Sequence, residues 1–407
     1  MPPVVGPSSK EVALNRPIWE VADILRLYGN HYCLGQTVPT PHLKVMHSIQ
    51  VCRTSYLGGH VEQCDSCGFE RHAYNSCRNR HCPKCQALTK AKWLEDSKTE
   101  LLPVGYFHTV FTIPHELNPL ALRNKKTFFG ILFKAASETL IEFGRNNLDG
   151  QPGFLAILHT WDQKLMDHFH LHCVVAGGAL SFDKSRWISA RGNFLFSVKA
   201  LSVVFRAKFT EYLINAFLKG DLTFSGKISM LADEKEFLLL IKGVKQKDWV
   251  VYCKKPFAGP QQVLDYIGRY THRVAISNPR IVNVENDKVT FTYRDRRKNN
   301  TLKTMTLHAK EFIRRFLLHV LPDNFVRIRH FGFLANRYKK ENIQRCREII
   351  GVVQQVPETT EKNYQERMLE LTGIDLTLCP CCKTGAMIVV DEIPALSKCK
   401  PQYMDTS

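Results

Sequence analysis

No run in the 407 residues approaches 18 consecutive apolar residues, which excludes a membrane-spanning helix. The N-terminus, MPPVVGPSSK, lacks a charged region followed by an apolar run. No secretory signal is read there, and a cytoplasmic location is expected. No internal repeat recurs at a fixed period, and no low-complexity tract interrupts the chain. Acidic residues are scarce: 38 Asp and Glu face 56 Lys and Arg, a formal net charge of +18. What is present is a normal globular share of hydrophobic residues, 44 %, enough to bury a core and too much for a mostly disordered protein. A globular chain this basic most often meets nucleic acid.

Cysteine is abundant at 14 residues, and five of them lie between Cys64 and Cys85. A chain kept in a reducing compartment uses clustered cysteines for metal rather than disulfides. Cys64-x2-Cys67 and Cys82-x2-Cys85 read as two knuckles that complete one tetrahedral, structural zinc site. Cys77 and His81 lie close by, as do Cys52, His60 and His72, and are candidates for a second site or a replaced ligand. Near the C-terminus, Cys379 and Cys382 form a further knuckle whose other half is not evident.

The pattern divides the chain into an N-terminal helical segment (1–50), a zinc-binding domain (51–92), a catalytic region (103–340) and a C-terminal tail with the last cysteines (341–407). Alternation and β-branched content predict strands over 104–113, 154–161 and 169–177, short strands within 223–252, and a hairpin over 282–295 turning at Asn286-Asp287. Helical periodicity marks 125–146, 198–218, 260–275 and 308–320. The fold class is therefore α+β.

Residues 168–172 read His-Phe-His-Leu-His. On a strand, His168, His170 and His172 line one face, while Phe169, Leu171 and Cys173 line the other. Neighbours on that face sit roughly 6.6 Å apart, so two adjacent histidines can grip one metal, whereas His168 and His172 at roughly 13 Å cannot easily share it. The pair is His170 with a neighbour, and His168, His159 or Gln163 is the candidate third ligand. Further on, Tyr266 and Tyr270 stand at i and i+4 of a predicted helix, so both hydroxyls project from one face. Arg269 and Arg273 flank them. Between residues 251 and 350, 21 Lys or Arg outnumber 8 Asp or Glu. The densest stretch includes Arg296, Arg297 and Lys298, and aromatics are interleaved with it, as in a nucleic-acid track.

The zinc segment LGGHVEQCDSC…YNSCRNRHCPKC, then Phe111-Thr112-Ile113-Pro114, then His-hydrophobic-His, then Tyr-x3-Tyr in YIGRYTHRVAISN resembles the rolling-circle insertion-sequence transposases with paired tyrosines. These are part of the HUH single-strand endonuclease superfamily. The resemblance runs from about Cys52 to about Arg337. It implies an N-terminal zinc ribbon and an antiparallel-sheet nuclease domain flanked by helices, with the histidines on a central strand and the tyrosines on a helix beside it. It implies Mg²⁺ or Mn²⁺ as the catalytic ion, held by His170 and His172, with His168 where members often have a histidine. It also implies that Tyr266 and Tyr270 attack single-stranded DNA at transposon ends and in target DNA, leaving a 5′-phosphotyrosine bond and a free 3′-OH.

Three other readings compete. One is an RNase-H-like transposase using carboxylates such as Asp162, Asp265 and Glu311. Another is a non-enzymatic zinc-ribbon DNA-binding protein. The third is a replication initiator or relaxase with the same tyrosine chemistry.

Overall fold

The computed structural model describes residues 17–192, 195–257, 262–263, 268, 274–295, 298–351 and 362–396. In chain order the elements begin with α1 (Val21–Cys33), α2 (Thr40–Gln50), β1 (Gly59–Cys64), β2 (Glu70–Tyr74) and α3 (Pro83–Lys98). Next come β3 (Tyr106–Thr112), α4 (Asn118–Arg123), α5 (Lys125–Leu148), β4 (Gln151–Trp161), β5 (Asp167–Leu180), β6 (Trp187–Ser189), α6 (Val198–Leu218), α7 (Glu234–Lys245) and β7 (Val251–Phe257). The third stretch holds β8 (Ile281–Glu285), β9 (Lys288–Asp295), β10 (Thr301–His308) and α8 (Ala309–Leu318). The last holds β11 (Ile328–Gly332), α9 (Lys339–Ile350), α10 (Tyr364–Thr372) and β12 (Met387–Ile393). Every strand pairing among the described residues is antiparallel, so the architecture is α+β as the composition of elements implied.

Two compact units emerge, and their boundaries differ from those read off the sequence. One comprises residues 1–91, 274–320 and 359–407; the other comprises 92–273 and 321–358. Residues 274–320, expected in the catalytic region, fold instead with the cysteine-rich segment. The physical reason is the apolar face of α8, where Phe312, Ile313, Phe316 and Leu317 are buried, as are Val21, Ile24 and Leu25 of α1, the helix it packs against. The buried Asn278 side chain seals the join by accepting the Val21 amide at 3.2 Å. The expected tail over 341–407 is likewise split, with α9 in the second unit.

Within the first unit, one sheet has the order β12-β1-β2 and a second the order β10-β9-β8. The β8–β9 hairpin turns at Asn286 and Asp287, with φ of 48° and 57°. Two consecutive positive φ values suit the right-handed twist of the strands, and Asn and Asp tolerate them.

In the second unit a six-stranded sheet runs β11-β4-β5-β3-β7, with β6 on the far part of β5. Strand β5 is central. Its odd-numbered residues Phe169, Leu171, Cys173 and Val175 join a core with Phe128, Phe129 and Leu132 of α5 and Phe205 and Phe209 of α6. The Phe129 and Phe169 rings meet edge to face at 5.2 Å, an arrangement aromatic quadrupoles favour. Each such fully buried side chain contributes about 1.5–3 kcal/mol of burial. The opposite face carries Val174 and Ala176 with Leu155, Ile157 and Phe333. That face also carries the histidines.

One segment departs from its expected form. Residues 234–245 lie within 223–252, where short strands were expected, yet they fold as α7. The run Phe237-Leu238-Leu239-Leu240-Ile241 resembles a strand in composition. Asp233 decides otherwise, because its carboxylate accepts the amides of Lys235 and Glu236 and caps a helix whose buried residues fall at Phe237, Ile241 and Val244.

Candidate active site and metal centres

The histidine face is built by strand register. His172 pairs with Ile157 of β4 and Val110 of β3, and His170 pairs with His159 and Thr112. Directly paired residues on one face bring their side chains together. His159, His170 and His172 accordingly converge, with one ring nitrogen of each within 4.8 Å of the others. His170 and His172 are 7 % and 6 % exposed, and their Nε2 atoms lie 3.0 Å apart.

Their other nitrogens are held as well. Nδ1 of His170 is 3.0 Å from the carbonyl oxygen of His168. A carbonyl only accepts, so this nitrogen carries the proton and donates it. Nδ1 of His172 is 3.0 Å from Nε2 of His108, which lies on β3. Both arrangements direct Nε2 of His170 and of His172 to one spot, the outer-shell pattern that fixes metal-binding imidazoles.

His108 and His159 are held in their neutral forms. Burial pulls His108 down to about 4, with Lys254 adding to the effect. Burial also holds His159 well below the ordinary histidine range, helped by His170, His172, Arg327 and His168. The 3.0 Å separation matches the edge of an octahedron with bonds of about 2.1 Å, roughly 3.0 Å, better than a tetrahedral edge at the same bond length, roughly 3.4 Å. The donor set of His159, His170 and His172 fits a divalent metal ion, which these imidazoles would hold.

Of the sequence-nominated residues, the structure brings His170 and His172 together with His159, one of the three candidates for the third ligand. The exposed ring of His168 is outside that group, and His168 contributes its carbonyl instead. His108 went unnoticed in the sequence. Its signal was alternation in Phe107-His108-Thr109-Val110, which puts His108 and Val110 on the sheet face that carries the β5 histidines. Tyr266, Tyr270, Arg269, Arg273, Arg296 and Arg297 lie outside the described residues, whereas Lys298 is described and exposed.

Two of the three carboxylates of the competing reading are engaged elsewhere. Asp162 accepts the amides of Lys164 and Met166 in the β4–β5 turn, and Glu311 pairs with Arg314 and Arg315. Asp265 lies outside the described residues.

The cysteines form two groups, and neither is the expected set of Cys64, Cys67, Cys82 and Cys85. Cys82 and Cys85 meet Cys52 and Cys77; Cys64 and Cys67 meet Cys379 and Cys382. The reason is β1, which pairs along its length with β2 on one side and β12 on the other. Its end carries the Cys64 knuckle to the C-terminal knuckle. Cys82 and Cys85 instead open α3 beside the buried Cys52. His81 belongs to neither group.

In the first group the Cys52–Cys85 and Cys77–Cys85 sulfurs are 3.6 Å apart, and Cys52–Cys82 3.7 Å. A tetrahedron with Zn–S bonds of about 2.3 Å has edges of roughly 3.8 Å, so the group fits zinc.

Comparison with known proteins bears on both centres. The family described as "Putative transposase" matches residues 153–342, and the one described as "Transposase zinc-binding domain" matches residues 24–113. The "Putative transposase y4qJ" of Sinorhizobium fredii (strain NBRC 101917 / NGR234) is 47 % identical over 393 residues, 95 % of this chain and 98 % of the relative. The "Transposase for insertion sequence element IS801" of Pseudomonas savastanoi pv. phaseolicola is 28 % identical over 342 residues, 83 % of this chain and 80 % of the relative. No solved structure matches. Among the described residues no helix is long and apolar enough to cross a membrane. The first cysteine group lies wholly inside the matched zinc-binding domain, the histidines of β4 and β5 lie inside the matched transposase region, and the chain belongs to the IS91/IS801 family of transposases.

Proposed function

We propose that this transposase cuts single-stranded DNA at the ends of its element through a tyrosine nucleophile and moves strands by a rolling-circle route. The observation that carries the reading is the convergence of His159 of β4 with His170 and His172 of the central strand β5, with His108 and the His168 carbonyl orienting two of the rings. Two oriented imidazoles form part of a site with open positions for phosphate oxygens. A divalent ion there, Mg²⁺ or Mn²⁺, supplies positive charge to the non-bridging oxygens of the scissile phosphate. Arg327, near enough to depress His159, adds positive charge beside the cluster.

Tyr266 and Tyr270 are the nucleophiles in this reading. A phenol needs its proton removed before it attacks. The tyrosine oxygen then bonds to phosphorus, the bond from phosphorus to the 3′ oxygen breaks, and that oxygen takes up a proton as the free 3′-OH. The product is a 5′-phosphotyrosine, and the second tyrosine serves the next transfer. The Tyr-x3-Tyr spacing within the matched transposase region supports this assignment. Arg269, Arg273, Arg296, Arg297 and Lys298 are assigned to the DNA backbone by charge. Cys52, Cys77, Cys82 and Cys85 hold a structural zinc. The DNA substrate supports action at the nucleoid, in the cytoplasm.

The test is a nicking assay with Mn²⁺ on single-stranded oligonucleotides from the element's flanks, comparing wild type, Tyr266→Phe, Tyr270→Phe and the double variant. A protease-sensitive adduct on a denaturing gel, absent from the double variant, is expected. Cutting that persists in the double variant without an adduct would overturn the tyrosine assignment.

A further inference from the structure

The second cysteine group has a metal-site construction of its own, and only half of it falls inside the matched zinc-binding domain, which ends at residue 113. Its two Cys-x-x-Cys turns repeat one design. In the first, the Cys64 amide donates to the Phe69 carbonyl at 2.9 Å, the Gly68 amide to the Cys64 carbonyl at 3.1 Å, and the Ser66 amide to the Cys64 sulfur at 3.4 Å. In the second, the Cys379 amide donates to the Gly385 carbonyl at 2.9 Å, the Lys383 amide to the Cys379 carbonyl at 2.9 Å, and the Cys381 amide to the Cys379 sulfur at 3.3 Å. The residue after each second cysteine has positive φ: 69° at Gly68 and 60° at Lys383. Neither turn is a chance meeting of thiols.

The turns face each other. Cys64 and Cys382 sulfurs are 3.6 Å apart, as are those of Cys67 and Cys379. That spacing is far beyond the roughly 2.05 Å of a disulfide and close to the roughly 3.8 Å edge of a zinc–thiolate tetrahedron. The Gly385 amide donates to the Cys382 sulfur at 3.3 Å. Amide donors stabilise the thiolate form that binds metal. Asp65 joins the turns, its amide donating to the Ala386 carbonyl at 3.1 Å and its carboxylate accepting the Ala386 amide at 2.9 Å. The approach is close enough to demand glycine at 385, where a Cβ would sit 2.4 Å from the Cys64 sulfur.

We propose that Cys64, Cys67, Cys379 and Cys382 bind a second zinc ion, distinct from the one assigned to Cys52, Cys77, Cys82 and Cys85. This ion clasps the C-terminal segment to the N-terminal zinc domain and fixes β12 against β1. The proposal is independent of the catalytic reading.

The experiment counts zinc in the full-length chain by native mass spectrometry and by elemental analysis. Wild type is expected to hold two zinc ions, Cys379→Ser/Cys382→Ser one, and Cys381→Ser, whose side chain is outside the group, two. Limited proteolysis of the Cys379→Ser/Cys382→Ser chain is expected to release the segment after residue 359 at least about tenfold faster. A single zinc in the wild-type chain overturns the proposal, as does retention of two in the double serine variant. The wild-type count decides the matter even if that variant does not fold, and cobalt substitution then reports whether both ions sit in tetrahedral thiolate fields.

Discussion

Nδ1 of His172 is 3.0 Å from Nε2 of His108, a residue 64 positions earlier on the neighbouring strand. His108 is thereby a positioning residue, fixing which nitrogen of His172 faces His170. His108→Ala is expected to weaken Mn²⁺ binding by about 10–100-fold, the usual effect of losing an outer-shell partner. His108→Gln, which retains an acceptor, is expected to recover part of that loss. Isothermal titration with Mn²⁺, in the absence of DNA, measures both. Equal affinities in wild type and the alanine variant would exclude the positioning role.

His159 and His168 separate by the same measurement. His159→Ala is expected to reduce Mn²⁺ affinity at least about tenfold. His168→Ala preserves the backbone carbonyl that accepts from His170, so its affinity is expected within about twofold of wild type. A reversed ranking would restore His168 as the third ligand.

Gly332 has φ of 63°, and a Cβ on it would lie 1.6 Å from the Pro152 carbonyl oxygen. Here β11 crosses onto β4 with no room for a side chain. Gly332→Ala combines a left-handed backbone with a clash against main chain and is expected to cost about 3 kcal/mol or more. Urea unfolding followed by circular dichroism would show the lowered midpoint. An unchanged midpoint would mean that the strand junction relaxes.

The Arg314 guanidinium, with Arg315, holds the Glu311 carboxyl down to about 2 against an ordinary 4.5, outweighing partial burial. The folded pKa is depressed, so this pairing stabilises fully above about pH 4.5 and is lost as pH falls toward 2. Its contribution is under about 1 kcal/mol, because a third of the side chain meets solvent. Glu311→Gln removes it. The stability difference between wild type and variant is expected to shrink from pH 5 to pH 2.5, and a difference independent of pH would dismiss the pairing.

How much of this was legible follows from the range of each interaction. His170 and His172 could be read because alternation along one strand is a local property. Phe169, Leu171 and Cys173 fell on the core side for the same reason. His159 was one of three candidates for the third ligand, and its selection over His168 and Gln163 rests on the register of β4, while His108 reaches the site only through the register of β3, which no single strand records. The cysteine pairs were recognisable as turns, but each pair meets its partner through strand order. Cys64 and Cys382 are 318 positions apart. Nor could periodicity show that α8 would pack on α1, since both are amphipathic and either could face another helix. In α7, one capping aspartate outweighed a strand-like composition.

The arrangement of β1 between β2 and β12 also sets an order of events during synthesis. Cys64 and Cys67 leave the ribosome more than 300 codons before the two cysteines they meet. Until then one edge of β1 has no neighbour strand, and half of a ligand set stands unmatched. Only a chain translated through its last strand can close that edge. Residues 387–393 thus complete the sheet begun at residues 59–64, and the finished sheet certifies that the message was read through to β12.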